Sequence, residues 1–135
     1  MRTHRSLNAL LLLYASASLV HFIHNAQFLS AYPGLPTSWT RLSVYLAWVV
    51  MTSVGALGWV LLRRHHEWTG LVLLAAYAAL GFDSLGHYVV ASFTAHTLMM
   101  NATILVEVAN AALVMIEVVK LAVRKLAAPA RSRAR

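Results

Sequence analysis

Apolar residues run along this chain in four long blocks, separated by three short stretches that suit neither hydrocarbon nor an uninterrupted helix. The blocks run from Leu7 to Phe28, from Leu42 to Leu62, from Thr69 to Val90 and from Thr97 to Lys120. At about 1.5 Å per residue, each is long enough to cross about 30 Å of hydrocarbon as a helix. Tyr32-Pro33-Gly34-Leu35-Pro36 is a turn cluster that cannot continue a helix. Arg63-Arg64-His65-His66-Glu67 is a charged hairpin, and Ala91-Ser92-Phe93 is a short break before the last block. The pattern predicts an all-α fold, an integral membrane four-helix bundle over residues 1–126. Residues 127–135 form a basic Ala/Arg-rich tail, expected to be cytoplasmic and disordered. Arg2, Arg5 and Ala15-Ser16-Ala17 imitate a signal peptide. The apolar run continues through Ile23, however, so an uncleaved first span is expected.

Composition agrees. Hydrophobic residues make up 60% of the chain and charged ones 11%, with a mean hydropathy of +0.67. A soluble domain carries about 25% charged residues. There is no cysteine, which excludes disulfides, thiolate metal sites and a Cys nucleophile.

The net charge of +7 reads as a topology signal rather than as a nucleic-acid surface. Arg2 and Arg5 precede the first span, Arg63 and Arg64 separate the second from the third, and Lys120 begins the basic C-terminal stretch. Only Arg41 falls on the other side. The positive-inside rule then puts both termini in the cytoplasm and the Pro-rich loop outside. Expected partners are the lipid bilayer, another copy of the chain or a larger membrane complex, with no nucleic acid. The expected location is a bacterial-type inner membrane, with the site facing the periplasm.

Ionisable side chains inside spans are costly and usually functional. Asp83, Glu107 and Glu117 are three of the chain's four acids, and all lie in spans. His21, His24 and His87 lie in spans too, and His96 at a span end. His21, His24, Asn25 and Phe28 follow one helical stripe. Asp83 and His87 are four residues apart, which in an α-helix puts them on one face. His96, Met100, Thr103, Glu107, Asn110 and Glu117 form a third stripe. Heights match as well: His21 and Asp83 each lie 14 residues into their spans, or about 21 Å.

Imidazoles and carboxylates on facing helices suit a transition metal: zinc, copper, iron or manganese. His21, His24, Asp83 and His87 are the expected ligands, with His96 as a fifth. Glu107 is the expected catalytic residue, moving protons beside the metal. In the enzyme version the metal activates water or oxygen against a lipidic or small apolar substrate. The alternatives are a subunit that transfers copper or another metal to a larger complex, a haem-binding b-type bundle, and a structural subunit without metal. A metal-free proton relay or a set of helix-joining hydrogen bonds would use the same residues. His65 and His66 read as solvated, and Trp39, Trp68, Tyr32 and Tyr88 as anchors at the membrane interfaces. Ser84, three residues before His87, reads as a weak nucleophile candidate.

The Asp83, His87 and His96 arrangement resembles, as a motif alone, the Asp-x3-His…His copper site in the C subunit of particulate methane monooxygenase. In this chain eight residues, 88–95, separate His87 from His96, a shorter spacing than in that family. The sequence is also similar in flavour to membrane hydrolases of the alkaline ceramidase type, which place histidines, an aspartate and a serine around zinc within seven spans. Neither resemblance carries a function over.

Overall fold

The computed structural model describes the backbone of residues 2–132 and the side chains of residues 5–127. Four helical passes are long and apolar enough to cross a membrane: Arg5–Gln27, Arg41–Arg63, Glu67–Val90 and Leu98–Ala127. They correspond closely to the four apolar blocks. The elements are α1 (Arg2–Gln27), α2 (Arg41–Arg63), α3 (Glu67–Leu80), α4 (His87–Val90) and α5 (Leu98–Ser132). No strand occurs among the described residues. Helix α5 covers much of the stretch expected to be a tail; residues 133–135 lie outside the described residues.

Helix ends follow local chemistry. Thr40 and Ser43 form a reciprocal capping box at the start of α2. At its end, His66 N–H reaches back to the Leu61 carbonyl at 2.9 Å while His65 takes a left-handed φ of 65°. This left-handed closure turns α2 into α3 within a few residues.

The third pass is not a uniform α-helix. Between α3 and α4, Gly81–Gly86 winds as a 3₁₀ segment. Gly81 N–H bonds to the Ala78 carbonyl, and the Tyr14 hydroxyl donates to the Tyr77 carbonyl at 3.2 Å. A hydroxyl from α1 thus takes up a carbonyl at the point where the winding changes. Gly81 makes this approach possible, because a Cβ there would lie 2.7 Å from Ala111 Cβ and overlap the Tyr14 hydroxyl.

Two clusters make the core. Leu7, Tyr14, Leu71, Leu74, Tyr77, Ala111, Val114 and Val118 fill the half nearer the termini. A smaller cluster at the opposite end is built on Tyr32, Met100 and Ile104. At the terminal end Lys125 pairs with Glu67, and the Ser6 hydroxyl donates to Glu117 at 3.1 Å.

Candidate functional site

The polar residues gather in the half of the bundle opposite the termini. Glu107 on α5 is fully buried. The Ser84 hydroxyl donates to its Oε2 at 2.5 Å, and His21 Nε2 on α1 lies 3.7 Å from the same oxygen. The other nitrogen of His21, Nδ1, is 3.2 Å from Thr103 Oγ1. Thr103 donates in turn to the Met100 carbonyl at 3.0 Å, so its oxygen is left to accept from His21. Nε2 then presents its lone pair toward the Glu107 carboxyl, beyond direct hydrogen-bond distance.

Above this layer stands Tyr32. Its ring centroid lies 5.0 Å from His87, 5.8 Å from His24, 6.4 Å from His21 and 6.5 Å from His96. Its hydroxyl is 2.9 Å from His24 Nδ1. Tyr32 is 4% exposed, and burial pushes its phenol up to about 12. The expectation that Tyr32 anchors at an interface is corrected, because it turns inward among the histidines; half-buried Tyr88 donates to Asn101 Oδ1 at 2.9 Å. Gly34 sets this up. Its φ is +75°, and a Cβ there would lie 2.8 Å from the Val90 carbonyl oxygen. Only glycine lets the Pro-rich loop lie this close to the end of α4.

His87 and His96 complete the cluster, with ring centroids 6.0 Å apart; His21 and His87 are 5.6 Å apart. Asn25 Nδ2 lies 3.3 Å from His87 Nε2. His96 Nδ1 donates to the Ser92 carbonyl at 2.9 Å. His87 Nδ1 and His96 Nε2 are buried and have no hydrogen-bond partner among the described residues.

The expected five-ligand set is therefore divided. His21, His87 and His96 are buried and mutually close. His24 joins them through Tyr32. Asp83 does not sit with His87 as the α-helical spacing predicts, and is exposed. The 3₁₀ winding is the reason: with about three residues per turn, Gly81, Ser84 and His87 share the buried face. Ser84 thus takes the inward place expected for Asp83. Among the described residues, no group of three or more His, Asp or Glu side chains is arranged to hold a metal ion. The α5 stripe also ends early. Asn110 donates to its own helix at the Val106 carbonyl, and below Glu107 the buried face continues as Ala111, Val114 and Val118.

Beside the site is a cavity of about 330 Å³ between α1, α2 and the third pass. His21, Asn25, Ser84 and His87 give it a polar wall, and Trp39, Val44, Met51 and Leu80 an apolar one. Asp83 lines it as well. No family model, no curated protein and no solved structure matches the chain, so its function is argued from this geometry.

Proposed function

We propose that this chain is a multi-pass membrane protein with a buried acid–base site acting on a small amphiphilic or apolar substrate that enters from the lipid. Glu107 is the acid–base group, and Ser84 carries the proton between it and the cavity. The observation that supports this is the position of Ser84: its hydroxyl is bonded to Glu107 and it lines the cavity. A proton passed from substrate to Ser84 Oγ, as Ser84 gives its own to Glu107, needs no movement of either helix. His21, Thr103, Tyr32 and His24 lead from Glu107 toward the Pro-rich loop, as a route for re-equilibrating that proton.

The test is infrared spectroscopy of the protonated carboxyl band in reconstituted protein, with Glu107→Gln and Ser84→Ala. The band should vanish in Glu107→Gln while the helical content stays intact. Its deuterium exchange should slow at least tenfold in Ser84→Ala. A band unaffected by Glu107→Gln, or exchange unchanged in Ser84→Ala, overturns the reading.

In the proposed orientation both termini are cytoplasmic, in a bacterial-type inner membrane, and the site faces outward. Arg5, Arg63, His65 and Lys125 around one cavity of about 600 Å³ at the terminal end support this. A cysteine at Ser38 or Thr94 should react with an impermeant thiol reagent in intact cells, and one at His65 should not. The reverse pattern inverts the orientation.

A second reading, a metal centre, is favoured by His96 Nε2, which is buried without a partner while Nδ1 holds the proton given to Ser92. A neutral imidazole in that state is a donor for zinc or copper, and the His87 ring lies 6.0 Å away, centroid to centroid. Elemental analysis of protein purified without affinity-column metal decides this. Stoichiometric metal lost in His96→Ala supports it, and metal-free protein with an unchanged melting temperature on adding zinc or Cu(I) rejects it.

A further inference from the structure

We infer that the seam between α1 and α2 binds a single-chain amphiphile with an uncharged, hydrogen-bonding head, the head lying beside His21, Ser84 and His87 and the chain running toward the terminal end. This names the substrate class of the acid–base site and rests on that reading. The seam carries two cavities, one above the other. The upper is the polar-walled cavity already described. The lower, of about 360 Å³, is lined by Leu11, Leu12 and Ala15 of α1 and by Thr52, Gly55 and Ala56 of α2, with Tyr77 and Trp59 also on its wall. Along α2 their linings follow one another, ending at Met51 for the upper and starting at Thr52 for the lower.

Gly55 lets the Tyr77 ring pack directly against α2. A side chain there would run into the Tyr77 ring, which closes the groove on the α3 side. From Val44 to Trp59 the seam extends over 15 helical residues, or about 22 Å. That is most of the hydrocarbon thickness of about 30 Å, so a bound chain reaches past the membrane midplane. The lower wall includes lipid-exposed Leu12 and Trp59, so a chain has a lateral way in without crossing the core.

The head is assigned from the polar wall. Among the described residues the upper cavity has no lysine or arginine on its lining, and it does have Asp83. A phosphate or carboxylate head would meet no cation there and would face a carboxylate. A hydroxyl or amide can donate to an imidazole nitrogen and accept from Ser84 or Asn25. The polarity of the two cavities also fixes the direction. Reversed, the chain end would lie between His21 and His87, and the head would find only Thr52, Tyr77 and Asn8, whose Oδ1 already accepts from Trp59 Nε1 at 2.9 Å.

Tryptophans at the two ends make this measurable. Trp39 lines the upper cavity and Trp59 the lower. The protein is placed in nanodiscs of unbrominated phospholipid, with either Trp39 or Trp59 as the sole tryptophan and the others changed to Phe. Stearyl alcohol brominated near its hydroxyl should quench Trp39 saturably, and stearyl alcohol brominated far along its chain should quench Trp59. Ala56→Phe, on the exposed side of the groove, should weaken the Trp59 signal about tenfold, and Ala15→Phe should do the same. Stearic acid brominated at the same positions should bind at least tenfold more weakly. Quenching is read without turnover, so binding is measured apart from proton transfer.

Quenching that does not saturate, no effect of either Phe variant, or equal binding of the acid overturns the amphiphile assignment. Each of those results leaves the infrared test of Glu107 standing. Trp59 quenched by the head-brominated alcohol, and Trp39 by the chain-brominated one, overturns the direction.

Discussion

The two halves of this bundle use the same four passes in opposite ways. Toward the termini the interior is aliphatic and aromatic: Leu7, Leu71, Leu74, Val114 and Val118 close around Tyr14 and Tyr77. Toward the Pro-rich loop the interior holds Glu107, Ser84, Thr103 and the histidines around Tyr32. Within lipid the apolar half gains nothing from leaving water, so its stability comes from close contact between side chains. The polar half gains from hydrogen bonds but leaves His87 Nδ1 and His96 Nε2 unmatched. A tightly packed half thus holds an imperfectly satisfied one in place, which is the usual division between scaffold and site.

The largest effect should come from the scaffold. Leu74 is fully buried, and Leu74→Ala should cost about 2–5 kcal/mol, read as a lowered unfolding midpoint in detergent. Glu107→Gln should cost far less by the same measurement. Equal losses from the two would erase the distinction between the halves.

Gly34→Ala should come next. It forces a side chain into a φ of +75° and against the Val90 carbonyl, with a strain of about 1–3 kcal/mol. The loop should lift and uncover Tyr32, so nitration of Tyr32 by tetranitromethane should speed up. Unchanged nitration would mean that the loop does not hold Tyr32 in place.

The smallest effect should be a pH dependence. The folded phenol of Tyr32 sits at about 12, against 10.0 for an ordinary tyrosine. The folded state then holds this proton more tightly than the unfolded state does. Its stabilisation is complete below pH 10 and is lost as pH rises from 10 to about 12. Tyr32→Phe should flatten the stability curve in that window relative to wild type. Identical curves would show that Tyr32 is not buried in solution.

The architecture was legible because span length and turn residues act locally. Four apolar blocks and three breaks became four passes with nearly the same limits. His21, His87, His96 and Glu107 were legible as inward-facing because placing them against lipid is expensive. Asp83 falls outside the cluster because α-helical spacing would pair it with His87, whereas Gly81 and Gly86 bound a tighter winding. Tyr32 was misread because its neighbours are turn residues, and nothing local says that the loop folds back over the bundle. The usable signal was Gly34, a residue able to bring a loop against a helix end. Ser84 was noticed, but as a nucleophile beside His87; its partner Glu107 lies 23 positions away, beyond the reach of spacing arguments.

The 3₁₀ segment also acts as a phase shifter. An α-helix turns the chain by about 100° per residue and a 3₁₀ helix by about 120°. Over the six residues Gly81–Gly86 the difference accumulates to about 120°. Everything beyond Gly86 is therefore rotated by a third of a circle from where an unbroken α-helix would carry it. Regularising this stretch with strong helix formers would leave a good membrane span and a site dismantled from within, since His87 would swing out of the cluster. For this fold, a more regular third pass and a working site are alternatives.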